Sequence, residues 1–139
     1  MTNAVRLEAE EQSVLIISSH LHLRNHYAQI IQNLQVQVFA VGDGFEALEF
    51  LRHTPVHTVF ADFFLPGINA LELFLLMKEL HFPIPFVICS SELSARSRSE
   101  ALQIGVSSIV RKPTFKRTIE NCVREAIETR ESQMLKFFC

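Results

Sequence analysis

An open α/β fold is the architecture this 139-residue sequence predicts: a doubly wound, five-stranded parallel sheet with helices on both faces. Three observations predict it. Short runs rich in Val, Ile and Phe alternate five times with segments of helical spacing. The runs are continuously apolar rather than alternating, as strands covered on both faces are. The length suits one domain, which buries roughly two-thirds of its unfolded surface.

The strands are VLII (14–17), VQVFAV (36–41), TVFA (58–61), FVIC (86–89) and SIV (108–110). The first helix follows from Leu23, Tyr27, Ile30, Ile31 and Leu34, which recur at three- and four-residue steps. The second runs from about Gly44 to His53, with Phe45, Leu48 and Leu51 on one side and Asp43 as its N-cap. The third spans Asn69 to Leu80, with Leu73, Phe74, Met77 and Leu80 on the buried face. The fourth covers about Ala95 to Ile104 and stops at Gly105. The fifth starts after Pro113 and uses Phe115, Ile119, Val123 and Ile127. Residues 1–12 are expected to form an arm and 13–127 the domain. Residues 128–139 extend the last helix or form an apolar tail beyond a polar turn at 130–133.

Hydrophobic residues make up 48% of the chain and charged ones 20%, which excludes a disordered or collagen-like polymer. A net charge of −2 supplies no electrostatic reason for a nucleic-acid partner. No apolar run reaches the roughly 18 residues of a membrane span, and the polar first twelve residues do not resemble a signal peptide. The expected setting is therefore cytoplasmic. Cys89, Cys122 and Cys139 have no short pair spacing, so reduced thiols are expected, Cys89 in the core and Cys139 exposed. Of 15 acidic residues only Asp43 and Asp62 are aspartates.

In open α/β sheets, ligands bind beyond the carboxyl ends of the strands, where strand order switches. The residues there are Ser18, Ser19 and His20 after strand 1, Asp62 after strand 3, Ser90 and Ser91 after strand 4, and Lys112 after strand 5. One carboxylate, one hydroxyl and one ammonium suit a site that accepts and holds a phosphoryl group. Aspartate is the nucleophile, lysine balances charge, and the hydroxyl donates to a phosphoryl oxygen. The plain alternative is that Asp62 merely ends a strand. No Gly-x-Ser-x-Gly elbow surrounds Ser90, so it is not read as a hydrolase nucleophile.

From about residue 13 to 127 the chain resembles a response-regulator receiver domain, the phosphoacceptor module of two-component signalling, with its flavodoxin-like (βα)5 fold. The residues that carry the resemblance are TVFADFFLPGINALELF (58–74), ALQIGVSSIVRKP (101–113), FVICSSE (86–92) and GFEALEFL (44–51). Asp62 precedes Ser90 by 28 residues, and Ser90 precedes Lys112 by 22, as in the family. The resemblance implies Asp62 as phosphoacceptor, Ser90 as the switch hydroxyl, Lys112 as the phosphoryl contact, and a cis bond before Pro113 as in many relatives.

Two positions depart from the family. Its members end strand 1 with an acidic pair that holds Mg²⁺, and this chain has Ser18 and Ser19 there. Its aromatic switch residue in strand 5 is replaced by Ile109. Mg²⁺ prefers carboxylates, and Asp62 is the single carboxylate among these residues, with Glu92 the nearest other by sequence. Mg²⁺ is thus a possible cofactor, weakly held at Asp62 if at all. Because phosphoryl transfer depends on charge neutralisation by metal, phosphorylation is expected to be weakened by orders of magnitude or lost. Ser18 and Ser19 are expected to be satisfied by local backbone.

Six histidines raise a zinc alternative. His20, His22 and His26 cluster at the first helix, His22 and His26 on one face, but no acid or cysteine completes a ligand set, and surface histidines are the simpler reading. Leu75 and Leu76 point wholly or partly outward from the third helix, either as ordinary exposed leucines or as a contact patch for a partner or second copy. In the tail MLKFFC, Phe137 and Phe138 would each gain about 1.5–3 kcal/mol from burial against the domain or a neighbour.

The expectation is a stand-alone, atypical receiver-like domain, not an enzyme, which binds a histidine kinase or another signalling protein, with a homodimer as a further option. Its role is phosphorelay through Asp62. The alternative is a phosphorylation-independent interaction module of the same fold, with Leu75, Leu76, Ile109, Phe137 and Phe138 as contact residues. A zinc-dependent enzyme built on the first-helix histidines is the weaker third reading.

Overall fold

The computed structural model describes residues 12–112 and the backbone of 115–138, with side chains through Thr129. Five strands form one parallel sheet: β1 Ser13–Ile17, β2 Gln37–Val41, β3 Thr58–Asp62, β4 Phe86–Ser90 and β5 Ser108–Arg111. They lie in the order β2-β1-β3-β4-β5. The intervening helices are α1 Leu21–Gln32, α2 Gly44–His53, α3 Ala70–Glu79 and α4 Ala95–Gln103, and α5 Lys116–Phe138 follows the last strand. Strand order reverses direction between β1 and β3, so the crevice of a doubly wound sheet opens at their carboxyl ends.

Side chains alternate across each strand and divide the core in two. Leu15, Ile17, Val59, Ala61, Phe86 and Ile88 pack with α2 and α3 residues such as Ala47, Leu51, Leu73 and Met77. Val14, Ile16, Phe60, Val87, Cys89 and Val110 pack against Tyr27, Ile30 and Ile31 of α1 and Ile119, Val123 and Ala126 of α5. Both faces of β1, β3 and β4 are therefore buried, which is why their sequences are continuously apolar. Edge strand β2 is less covered: Gln37 and Ala40 are exposed, and Val38, Phe39 and Val41 are half-buried.

Helix ends follow their cap chemistry. The Asp43 carboxylate accepts from Glu46 N at 2.8 Å. Asn69 and Glu72 form a reciprocal capping box, each side chain accepting the other's backbone N–H at 2.8 and 2.9 Å. This box fixes where α3 begins after the loop that leaves Asp62. Asn69→Ala should cost about 1 kcal/mol in urea unfolding and Asn69→Gly only a few tenths. Equal losses would show that the side-chain bond adds nothing. Helix α4 stops where expected, with Gly105 at φ +117 beyond its cap Ile104.

Four expectations fail on packing. Phe45 is exposed, because its ring lies over Gly67, the positive-φ turn residue whose missing Cβ makes room for it; Gly44, Ala47 and Leu51 take the inner face of α2. Leu80 is the exposed C-cap of α3 rather than part of its inner face. Phe115 precedes α5 and is exposed, leaving Ile119, Val123 and Ala126 as the buried stripe. No turn interrupts the chain at 130–133; of the two readings for 128–139, extension of the last helix is the one seen, since α5 runs continuously to Phe138. Leu75 is exposed and Leu76 half-buried. The side chains of Phe137 and Phe138, and all of Pro113 and Cys139, lie outside the described residues. Among those described, no helix is long and apolar enough to cross a membrane.

Candidate functional site

Residue parity on the strands decides which side chains meet at the sheet's carboxyl edge. Asp62 continues the series Thr58, Phe60 and ends β3 pointing to the α1–α5 side, in register with Cys89 of β4. Ser18 extends the series Val14, Ile16 toward the same side. Ser90 extends Phe86, Ile88 toward the opposite one.

Asp62 is 2% exposed, although it carries a carboxylate. Lys112 lies one residue beyond β5 and is held by its backbone N–H donating to Ser90 O at 3.1 Å. From there Nζ reaches Asp62 Oδ1 at 2.9 Å. A buried carboxylate needs such a partner, because desolvation without one costs several kcal/mol. A second donor comes from α1: the Tyr27 hydroxyl donates to the same oxygen at 3.2 Å and lies 3.6 Å from Cys89 Sγ. The Tyr27 ring stands edge-on to Phe60 at 5.0 Å between centroids. Burial, reinforced by the Cys89 thiol and the Asp62 carboxylate, pushes the Tyr27 phenol far above its ordinary range, so it stays a protonated donor. Asp62 Oδ2 is buried and has no hydrogen-bond partner among the described residues.

The serines at the end of β1 differ from one another. Ser18 is fully buried, and its Oγ accepts from His20 N at 3.3 Å and donates to His20 O at 3.5 Å. Ser19 and His20 are exposed. The Ser90 hydroxyl, 3% exposed, accepts from Glu92 N at 3.3 Å, a local turn bond, while Glu92 is itself exposed. Ile109 is half-buried and packs against the α2–α3 side of the core. Cys122 on α5 is half-buried, and burial raises its thiol pKa.

The structure thus brings Asp62 and Lys112 into direct contact and holds the Ser18 and Ser90 hydroxyls on local backbone bonds. The residues at the end of β1 carry no acid, and the one carboxylate present is already paired with an ammonium. Among the described residues no three His, Cys, Asp or Glu side chains are grouped as a metal ion would need, the first-helix histidines included.

Sequence reasoning missed Tyr27 as a site residue. It was legible only as an apolar member of the α1 stripe, yet it is the chain's single tyrosine among 12 phenylalanines, and a hydroxyl at a core position signals a polar partner. Also missed was an apolar rim. Leu21, Phe45, Phe64 and Phe115 are all exposed, and each lies just beyond the carboxyl end of a strand.

Comparison with known proteins agrees with this architecture. The family described as response regulator receiver domain matches residues 14–124. Protein-glutamate methylesterase/protein-glutamine glutaminase 1 of Cereibacter sphaeroides is 30% identical over 135 residues, covering 87% of this chain and 36% of that protein. Peroxide stress-activated histidine kinase mak2 of Schizosaccharomyces pombe is 24% identical over 139 residues, covering 89% of this chain and 6% of that protein. This chain therefore spans only about a third or less of the length of these relatives. Among solved structures, a signal receiver domain from Vibrio parahaemolyticus superposes with a TM-score of 0.86 at 18% identity, covering 90% of this chain and 96% of that one. The chemotaxis response regulator CheY4 of Vibrio cholerae gives 0.74 at 19% identity, covering 84% and 98%. With the sheet order, the family match and these folds in agreement, the chain belongs to the response regulator receiver domains of two-component signalling.

Proposed function

We propose that this receiver domain takes a phosphoryl group on Asp62 from a phosphohistidine donor, and does so without the usual acid-bound Mg²⁺. The observation that carries the reading is the 2.9 Å contact between the buried Asp62 carboxylate and Lys112 Nζ at the crevice end of the sheet. In the transfer, an oxygen lone pair of Asp62 forms the new O–P bond while the donor's P–N bond breaks. The electron pair leaves with the imidazole, which takes up a proton. Lys112 follows the charge from carboxylate to phosphoryl oxygen, an electrostatic role available to a preorganised ammonium.

The donor set does not fit Mg²⁺. This hard cation takes carboxylates and water, and here Ser18 and Ser19 stand in the acid positions while Lys112 already neutralises Asp62. Phosphorylation is consequently slow, by orders of magnitude relative to acid-pair receivers.

A second reading has its own support. Lys112 and Tyr27 cover Oδ1, and Oδ2 has essentially no accessible surface, which suits an interaction module held in one state regardless of phosphorylation. Incubation with acetyl phosphate and Mg²⁺, followed by intact-protein mass measurement, separates the two. A slow gain of one phosphoryl group, absent in Asp62→Asn, supports transfer. No gain after prolonged incubation leaves the phosphorylation-independent module as the function.

A further inference from the structure

The two donors at Asp62 are unevenly placed. Lys112 Nζ at 2.9 Å and the Tyr27 hydroxyl at 3.2 Å both bond Oδ1, and Oδ2 receives nothing from the described residues. An ammonium alone can slide between the two oxygens of a carboxylate, because its three protons lie on a flexible stem. A phenol held on a packed ring cannot. Tyr27 is 2% exposed, edge-on to Phe60, and anchored in α1 within the same buried cluster as Ile30, Ile31 and the strand residues Val14 and Ile16. Its hydroxyl therefore fixes the rotation of the Asp62 carboxylate.

We infer that Tyr27 is a positioning residue for Asp62, tying down Oδ1 so that the bare Oδ2 is the oxygen that attacks phosphorus. The inference rests on Asp62 being the phosphoacceptor, and gives the site an asymmetry that the lysine by itself would not impose. The Oδ2 lone pair forms the O–P bond and the leaving group departs with the electrons of its own bond to phosphorus. Oδ1 meanwhile keeps the Tyr27 hydroxyl as the acyl oxygen, while Lys112 follows the charge to the phosphoryl group. Oδ2 sheds no hydrogen-bond donor before attack, but it has essentially no accessible surface, so the side chains around it must part to admit the phosphoryl donor.

The composition makes the test unusually clean. The chain has two aspartates and one tyrosine, and no tryptophan. Protein labelled with ¹³C-carboxyl aspartate shows two side-chain carboxyl signals, from Asp43 and Asp62, and all ultraviolet emission beyond that of phenylalanine comes from Tyr27. Tyr27→Phe keeps the ring and its Phe60 contact. The expected results are a displaced Asp62 carboxyl signal with the Asp43 signal unmoved in Tyr27→Phe, and a rise in tyrosine emission in Asp62→Asn as quenching by the carboxylate is lost. Unmoved signals in both variants overturn the inference. With acetyl phosphate as donor, Tyr27→Phe should label at least fivefold more slowly at saturation, with the half-saturating donor concentration unchanged. Labelling at the wild-type rate overturns a positioning role even if the carboxyl signal moves. Should wild-type protein take no phosphoryl group, the proposed transfer fails and the attack on phosphorus fails with it. The spectroscopic pair still decides whether Tyr27 orients Asp62.

Discussion

Lys112→Met should destabilise the fold by about 2–3 kcal/mol in urea unfolding at neutral pH. Breaking a buried ion pair by removing one partner costs about 3–5 kcal/mol, because the surviving charge is left desolvated. Here the lysine side chain is 26% exposed while Asp62 is almost wholly buried, so water screens part of the attraction and the lower figure applies. The Tyr27 bond remains and softens the loss further. Methionine keeps the length of the stem, so packing is held nearly constant and charge is what changes. The decisive comparison is Asp62→Asn in the Lys112→Met background. If an uncompensated carboxylate causes the loss, the double variant regains about half of it or more. If the second substitution adds its own full cost instead, the two groups act independently and the pair is not what holds this edge of the sheet together.

The second large effect comes from building an acid pair at the end of β1. Ser18→Asp/Ser19→Asp should be less stable than wild type without divalent cations and should recover when Mg²⁺ is added. Ser18 is fully buried at the end of β1, so an aspartate there sets an unpaired charge beside Asp62, whereas position 19 is exposed and tolerates one. Metal binding to the native state stabilises by about 2.7 kcal/mol at one hundred times the dissociation constant. The double variant should therefore show a melting temperature that climbs with Mg²⁺, while wild type moves by no more than the few tenths of a kcal/mol expected of general ionic effects. Labelling by acetyl phosphate in Mg²⁺ should rise at least tenfold over wild type, since a bound cation neutralises charge at the transferring group. A wild-type protein as Mg²⁺-dependent as the variant would show that serines and one carboxylate suffice to hold the ion, and the reading of a weakened metal site would be lost.

Legibility from sequence varied with the range of the interaction involved. Strands β1, β3 and β4 were readable because burial on both faces keeps their central residues continuously apolar, a strong local signal. Helix α2 was readable to its termini because Asp43 announces its start. Phe45, Leu80 and Phe115 were misjudged because periodicity gives the face a residue would occupy if its helix continued. A helix end or a neighbouring turn removes that face. The polar run Arg130 to Gln133 read as a turn, but polar residues without Gly or Pro extend an exposed helix equally well, and α5 continues through them.

By itself the sequence determined the (βα)5 architecture and the placement of Asp62, Ser90 and Lys112 at the ends of successive strands, because strand termini follow from local patterning and open α/β sheets gather those termini on one edge. It also determined that the end of β1 carries the hydroxyls of Ser18 and Ser19 and no acid, a matter of residue identity alone. Only the tertiary structure decided what each carboxylate oxygen touches. Parity turns Asp62 toward α1, where a tyrosine 35 positions earlier in the chain meets it, and turns Ser90 away. Contacts of that kind depend on how two elements pack across the sheet, and periodicity within either element holds no information about them.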